Sequence, residues 1–354
     1  MTDGRALRPA RPTIRIDGQE NASLSGGLLE LRVDETADGL YACEASFGNW
    51  GPRDGATGFL YFDRRALEFG KALEIRLGTE SIFRGLVTAL EGRFPEGDAP
   101  RVSVLAEDRL QELRMTRRTR TFADVSDADV FQAIASDHGL RPDVDISGPT
   151  HKVLAQLDQS DLAFLRERAR AIDAELWVDD RTLKACARQA RNEGTVRLGY
   201  GNALRELTVA GDLAHQRTSV KVGGWDVSAK QALEHEATES VVSGELKNGV
   251  SGASILSSAL GDRKESVAHT VPLTLPEAQA RAESLFRRRA RRFVSGRGVA
   301  ETTSALRVGA YVTLEGLGPL FNGAFYVSWV RHLFDGSHGL RTEFGVERPG
   351  LGSA

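Results

Sequence analysis

The residues that could do acid–base or metal chemistry are scattered along the chain. The 354-residue sequence contains seven histidines and two cysteines, Cys43 and Cys186, and they show no zinc-site spacing. HExxH, GxSxG and P-loop motifs are absent. Acidic pairs such as Glu234 and Glu236 lie in polar sequence, and nothing supports them as a glycosidase pair. We therefore predict that the chain is not an enzyme and takes no metal or cofactor.

A partial glycine motif and two histidines have structural explanations. "GYGNAL" at residues 199–204 lies between predicted strands and lacks the last glycine of a dinucleotide-binding loop. His332 lies within an apolar strand, which favours a packed or interface histidine over a catalytic one. His138 precedes Gly139 at a predicted helix end, where a histidine suits the negative pole of the helix. None of these residues predicts a catalytic site.

Two arginine-rich stretches are candidates for an interaction surface. "RRRARR" at residues 287–292 ends a predicted helix, and "RMTRRTR" spans residues 114–120. Each could be a solvated surface or could form ion pairs between subunits, since arginine suits buried pairing. Trp50 lies in a Gly/Pro-rich loop and is a further interface candidate. The candidate residues are Arg114, Arg117, Arg118, Arg120, Arg287, Arg288, Arg289, Arg291, Arg292 and Trp50.

Composition and charge argue against nucleic acid and membrane partners. The net charge is −3, so no overall positive field attracts either one. The arginine stretches also lack the interleaved aromatic and glycine residues typical of nucleic-acid sites. No apolar run approaches the roughly 20 residues of a membrane span. Residues 1–12 resemble no signal peptide, and we expect a flexible arm there, in a protein made in a reducing cytosol.

The pattern of the first third of the chain is β. Residues 28–33, 72–78 and 101–108 alternate apolar and polar side chains, and Gly/Asp/Pro clusters separate them. These features predict a first antiparallel barrel at 13–122. The period then changes to helical, with caps at Ser126 and Ser160 and a hairpin across Asp179 and Asp180, which predicts an inserted α/β module at 123–190.

The remaining chain returns to β structure around one long helix. We expect strands at 191–228 that link back to the barrels, and a polar, weakly patterned excursion at 229–273. Thr274, Pro276 and Glu277 form a helix start, which predicts a helix over 274–296. Strands of a second barrel follow at 297–348, and a short tail covers 349–354. The predicted fold class is mainly β with α+β insertions.

Two segments of the chain resemble each other. "LEFGKALEIRLGTESIFRG" at 67–85 aligns with "LRVGAYVTLEGLGPLFNG" at 306–323. The aligned pairs are Gly70 with Gly309, Leu73 with Val312, Ile75 with Leu314, Phe83 with Phe321, and Gly85 with Gly323. This repeat predicts two related barrels. It also predicts that Gly85 and Gly323 occupy the same place in each.

Several longer stretches resemble the late-control D family, the tail-hub proteins of contractile phages and injection systems. The family is similar to the hub half of type VI secretion spike proteins (VgrG-like). The stretches are "QSDLAFLRERARAIDAELWVDDRTL", "VGGWDVSAKQA", "TLPEAQARAESLFRRRARRFVSGRG", the region 306–348 and "FRGLVTALEGRFP". The resemblance covers about 13–348, and it is the combination of motifs in order that makes it specific.

This resemblance implies a structural role in a baseplate. It implies a homotrimer whose six barrels form a pseudo-sixfold ring, which joins a hexameric inner tube protein to a trimeric spike protein among other baseplate components. Because no needle repeat is present, we expect the spike to be a separate polypeptide. The particle could be a phage, a tailocin or a cellular injection system, assembled in the bacterial cytoplasm. A particle-associated cell-wall hydrolase and a β-rich glycan-binding module are the alternatives.

Overall fold

The chain folds into two β-barrels, a small α/β module and one long helix, and so confirms the predicted fold class. The computed structural model describes residues 11–352 except 54, 227–228, 248 and 269–271. Most of the expected N-terminal arm, and the end of the expected tail, lie outside these described residues. Four hydrophobic clusters organise the described part: one in each barrel, one in the α/β module and one beneath the long helix.

The N-terminal elements build the first barrel. Leu73 and Ile75 point into its core while Glu74 between them stays on the outer face, as the alternating pattern predicts. The elements are β1 (Thr13–Ile16), β2 (Gln19–Glu20), α1 (Ala22–Gly27), β3 (Leu28–Thr36), β4 (Ala42–Gly48), β5 (Trp50–Arg53), β6 (Ala56–Phe59), β7 (Ala72–Leu77), β8 (Glu80–Arg93), β9 (Arg101–Glu107) and α2 (Leu110–Arg114).

The α/β module begins its helices at the predicted caps. The Ser126 hydroxyl accepts a hydrogen bond from the Asp129 amide, and the Asp129 carboxylate accepts one from the Ser126 amide. Ser160 caps the second helix by accepting from the Ala163 amide. The elements are β10 (Arg117–Ser126), α3 (Asp127–Asp137), β11 (Arg141–Asp145), β12 (Thr150–Ser160), α4 (Asp161–Ala171), β13 (Ala174–Asp179) and β14 (Thr182–Ala187).

The C-terminal half contains the second barrel and the long helix. After a 3₁₀ turn (Arg188–Ala190) the elements are β15 (Thr195–Gly199), β16 (Leu204–Gly211), β17 (Ser219–Asp226), β18 (Gln231–Thr238), a 3₁₀ turn (Glu239–Val242), α5 (Ser243–Leu246), β19 (Val250–Ser251), α6 (Gly252–Leu260), β20 (Lys264–Val267), α7 (Leu275–Arg291), β21 (Val294–Ala300), β22 (Tyr311–Glu315), β23 (Gly323–Asp335), β24 (Gly339–Arg348) and β25 (Gly350–Leu351).

Two predictions for this half need correction. Helix α7 ends at Arg291 rather than 296, because Val294 already pairs with Arg348 in the barrel sheet. The segment 229–273 is also more regular than a polar excursion in its described residues. Strands β17, β18 and β20 form a small sheet, and its buried Val220 and Val222 pack in one cluster with the apolar side of α7. Its strands and helices are short, so their apolar residues give little periodic signal.

The two barrels use their strands in the same order. Hydrogen-bonded neighbours follow β3-β4-β9-β8-β7-β1 in the first barrel and β16-β21-β24-β23-β22-β15 in the second. The order along the chain is also shared, so each strand of one barrel has a counterpart in the other. One difference is direction: β1 runs antiparallel to β7, whereas β15 runs parallel to β22. The shared order supports a duplicated barrel.

The backbone hydrogen bonds fix the residue correspondence. The Gly70 amide donates to the Val87 carbonyl, and the Gly309 amide donates to the Val327 carbonyl. Both glycines have positive φ, +77° and +90°. Each long strand then bulges one residue further on, at Thr88 in β8 and at Ser328 in β23. Strands β8 and β23 therefore correspond with a shift of 240 positions.

The prediction that Gly85 and Gly323 are equivalent is wrong. Gly85 pairs with Leu73, whereas Val312, the counterpart of Leu73, pairs with Phe325. Gly323 therefore lies two positions away from the place of Gly85. Between these paired positions of β22 and β23, the second copy has one residue more than the first copy has between those of β7 and β8. The sequence alignment assumed one residue fewer.

A second internal similarity, which the sequence analysis missed, links β3 to β16. "LLELRV" at 28–33 and "LRELTV" at 204–209 share four of six residues. Both strands bulge at the second of these positions, Leu29 and Arg205. The shift here is 176 positions rather than 240, because β17 to α7 are inserted between β16 and β21 of the second barrel. A search at one fixed spacing cannot find it.

Candidate interaction surfaces

The described residues contain no group of side chains placed to hold a metal ion, and both cysteines are protonated thiols. In the described part, no three His, Cys, Asp or Glu side chains are placed to hold a metal ion. Burial raises the pKa of both thiols, that of Cys186 to about 11, so neither is a thiolate near neutral pH. Within the same residues, no helix is both long enough and apolar enough to cross a membrane.

His332 is packed inside the barrel sheet. Its side chain is fully buried, and Nδ1 lies 2.8 Å from the Thr342 hydroxyl. Burial lowers its pKa to about 4, with a smaller contribution from the Arg307 guanidinium. The imidazole is therefore neutral at physiological pH.

A buried cluster around His151 ties α7 to the α/β module. His151 Nδ1 lies 2.7 Å from Glu277 in the first turn of α7, and Nε2 lies 3.2 Å from Asp127. Arg168 also bonds Asp127, at 2.6 Å. Burial acts to lower the pKa of His151, but the bonds to both carboxylates outweigh it and raise that pKa. All four groups have partners within the chain, so the cluster has a structural explanation.

The arginines of residues 114–120 bond to acidic groups of the chain. Arg114 pairs with Glu107 through both terminal nitrogens, at 3.0 and 2.5 Å, and Arg117 pairs with Asp158 on the surface. Arg118 and Arg120 both bond the fully buried Asp161, at 3.0 and 2.9 Å. His138, which the sequence placed at a helix end, also contacts Asp161, at 2.8 Å. This stretch therefore mainly holds β10 against the start of α4.

The arginines of residues 287–292 divide into paired and unpaired groups. Arg291 is 2% exposed and contacts Asp173 at 2.6 Å and Glu245 at 2.7 Å. Arg287 bonds Glu283 at 2.9 Å, and Arg289 bonds Glu265 at 2.6 Å. For Arg288 and Arg292, the described residues offer no side-chain hydrogen bond or ion pair.

The two unpaired arginines line a groove beside the second barrel. It has a volume of about 840 Å³ and runs between α7 and the outer face of β16, β21 and β24. Arg289 and Arg297 add positive charges to the lining, Asp212 and Glu347 are its two acidic residues, and Ala210 of β16 lies at its wall. Burial, together with the nearby Arg170 and Arg292, lowers the pKa of Arg288. Glu347 is already paired with Arg188, so the arginines leave an excess of positive charge that suits an acidic side chain of a partner.

Trp50 belongs to an exposed aromatic cluster on the first barrel. The cluster consists of Trp50, Phe59, Phe62 and Phe94, with ring centroids 5.1–6.2 Å apart in successive pairs. Phe94, just after β8, is 64% exposed, and Trp50 is 47% exposed. Several exposed aromatic rings in one patch are typical of an interaction surface.

The two barrels join through an antiparallel pair of strands, which we call the internal junction. Strand β3 pairs with the end of β23, from Thr36 opposite Trp329 to Glu30 opposite Asp335. Phe334 thereby leaves its own barrel and becomes 5% exposed in the core of the first barrel. The pairing merges both barrels into one thirteen-stranded sheet.

Two ion pairs accompany the internal junction. Arg331 bonds Asp34 at 2.6 Å. Arg307 bonds the buried Glu35 at 2.7 Å, and the Val308 amide donates to the same carboxylate. Buried Glu35 therefore has the partners that a buried charge requires.

Strands β16 and β8 each leave an edge open in the described part of the chain. Apart from a single bridge between Leu204 and Tyr200, strand β16 pairs with β21 alone, and β8 pairs with β9 alone from Ala89 onward. An unpaired edge presents free amide and carbonyl groups, so it is a site where another strand can add.

Comparison with known proteins places the chain in a family. A family model described as the Alg8 N-terminal domain matches residues 51–335, and the chain belongs to this family. No curated protein matches the sequence.

Solved structures define the fold more closely. The 43 kDa tail protein of prophage MuSo2 from Shewanella oneidensis is 12% identical, with a TM-score of 0.69 over 96% of this chain and 98% of that one. A tail protein from Neisseria meningitidis MC58 is 12% identical, with a TM-score of 0.67 over 96% and 97%. The E. coli c3393 protein, a type VI secretion component, is 13% identical, with a TM-score of 0.57 over 96% and 79%. The chain therefore shares the fold of these proteins.

Proposed function

We propose that the chain is a structural tail-hub protein of the late-control D type in a contractile phage tail or related injection system. Three copies form a ring of six barrels that joins a hexameric inner tube to a separate trimeric spike in the baseplate. The carrying observation is the duplication: two barrels of one chain share strand order, bulges and a glycine turn. Two of the structural neighbours are tail proteins, and their shared fold supports the same class.

Symmetry gives the duplication a purpose. A ring of identical subunits repeats the same contact surface once per subunit. Three chains with two equivalent barrels each offer six similar surfaces to a sixfold partner. Where the two copies differ, as in the insertion between β16 and β21, the same ring offers only three sites. That combination fits a sixfold tube on one side and a threefold spike on the other.

Assembly state and partner binding test this proposal. Native mass measurement of the purified chain should give three times 38.4 kDa. Mixing with the tube and spike proteins of the same particle should give complexes in which the two partners bind together rather than compete. A chain that stays monomeric with both partners present contradicts the proposal.

A glycan-binding module is the second candidate, and the exposed aromatic cluster favours it. Aromatic rings on a sheet surface can stack on sugar rings. Retention of the assembled protein on purified cell-wall polysaccharide, lost in Trp50→Ala, would support this candidate. Without such retention the cluster is better explained as a protein contact.

A further inference from the structure

We infer that neighbouring copies join by β-sheet pairing, in which β16 of one copy adds to the open edge of β8 in the next. This inference rests on the proposed trimer and specifies its contact. The internal junction between β3 and β23 is the template, because β16 is the counterpart of β3 and β8 is the counterpart of β23.

The two edges that would meet are open at the corresponding positions. Strand β22 pairs with β23 only up to Tyr326, and β3 then takes the freed edge from Trp329 onward. Strand β7 pairs with β8 only up to Leu86, the counterpart of Tyr326. Val87 still bonds Gly70 and Lys71, and beyond the bulge at Thr88 the freed edge of β8 has no strand in the described residues. The chain therefore uses this edge once internally and leaves its counterpart open.

The internal register transfers to the new contact. Shifting β3 by 176 positions and β23 by 240 places Glu91 of one copy opposite Ala210 of the next, since Arg331 is opposite Asp34. The same shift places Phe94 opposite Leu207, since Phe334 is opposite Leu31. Pairing would stop after Phe94, because Pro95 has no amide hydrogen.

The residues at the two open edges are less buried than their counterparts at the internal junction. Phe334 and Leu31 are 5% and 2% exposed at the internal junction. Their counterparts are the same residue types, yet Phe94 is 64% exposed and Leu207 is only partly buried. A strand from the next copy would cover both, as β23 covers Leu31. Phe94 would then pack into the hydrophobic core of the neighbour's second barrel.

Charge complementarity differs from the template but is present. The Arg331–Asp34 pair becomes Glu91 and Ala210, so that ion pair is not repeated. Ala210, however, lies at the wall of the groove that contains the unpaired Arg288 and Arg292. Glu91 shares the face of Ala210 and would bring its carboxylate to these arginines. The basic groove thereby gains an acidic partner from the next copy.

A disulfide tests the register. In Glu91→Cys/Ala210→Cys, the two positions are directly opposite across the contact, and opposite Cα atoms of antiparallel strands lie ~4.5–5.5 Å apart, within disulfide reach. Oxidation should give a covalent trimer on non-reducing gels. The matched control is Glu91→Cys/Thr208→Cys, on the same face but two residues out of register, which should give little cross-linking.

A second variant tests the side-chain contact. Phe94→Asp changes an exposed residue of the single chain, so the fold should persist while the trimer is lost. The control Phe62→Asp alters the same aromatic cluster outside the paired strands and should leave the trimer intact. A trimer that resists both Phe94→Asp and cross-linking overturns this inference alone. A chain that is monomeric even with tube and spike proteins contradicts the proposed function as well.

Discussion

The arginines of the two arginine-rich stretches mainly form ion pairs between elements of the same chain. Arg291 joins α7 to Asp173, which precedes β13, and to Glu245 of α5, and it is almost fully buried. A buried charge is tolerated only with such partners. The sequence shows the run of five arginines, but not which one is buried, because Asp173 lies 118 positions away in the chain.

Replacing Arg291 should destabilise the fold strongly. Arg291→Ala leaves Asp173 buried with its main partner removed, at a cost of about 3–5 kcal/mol. Arg292→Ala, at the exposed neighbouring position, should change the free energy of unfolding by less than about 0.5 kcal/mol. Urea denaturation of both variants measures the difference. Equal losses of unfolding free energy in the two variants would show that the ion pairs of Arg291 do not stabilise the fold.

His332 should make stability depend on pH. The folded protein holds it neutral down to a pKa of about 4, whereas the unfolded chain takes up the proton near 6.5. The unfolded state therefore binds more protons within this window, and the free energy of unfolding falls as pH drops from 6.5 to 4. The loss from His332 is about 3 kcal/mol.

The variant His332→Gln isolates this effect. Denaturation curves of both proteins between pH 7 and 4 should diverge, with the wild-type protein losing more stability on acidification. Asp108, whose buried carboxyl has a pKa raised to about 7, acts in the opposite direction. It is present in both proteins and cancels in the comparison. Parallel curves would contradict a neutral buried His332.

At the scale of elements, the glycine turns that precede β7 and β22 are the local feature that the two barrels share most clearly. Gly70 and Gly309 have the same backbone hydrogen bond and positive φ, but different surroundings. A Cβ on Gly70 would meet nothing within 4 Å, whereas one on Gly309 would collide with the Arg191 side chain, with Cδ at 2.8 Å. Arg191 is itself buried and bonded to Glu175 at 3.0 Å.

Matched alanine variants separate backbone strain from crowding. Gly70→Ala should cost about 1–2 kcal/mol, the penalty of a left-handed conformation alone. Gly309→Ala should cost more, by a further 1–3 kcal/mol, because the buried Arg191 must move. Chemical denaturation of the two variants gives the comparison. A larger loss for Gly70→Ala would contradict the described packing.

Local patterns predicted the elements better than they predicted register. The caps at Ser126, Ser160 and Thr274 and the alternating strands were legible, because they depend on neighbours within a few residues. The pairing partner of Gly85 could not be predicted in this way, because one extra residue in a turn shifts every later pair. The link between β3 and β16 was hidden by the insertion between β16 and β21.

At the scale of the whole molecule, four exposed features belong to the same inferred contact between copies. Phe94, the open edge of β8, the open edge of β16 and the arginine groove are separate features of one chain. They become one contact when a second copy is placed by the internal junction. The sequence listed the arginines and Trp50 as candidates, but it could not order them, because their arrangement depends on which strand edges are left unpaired.

The most direct test is a cryo-EM reconstruction of the purified chain, computed without imposed symmetry. We expect a closed ring of three chains and six barrels at nearly equal spacing, in which internal junctions alternate with β8–β16 contacts between copies. A monomer, a dimer, or a trimer whose barrels do not form one ring would contradict it.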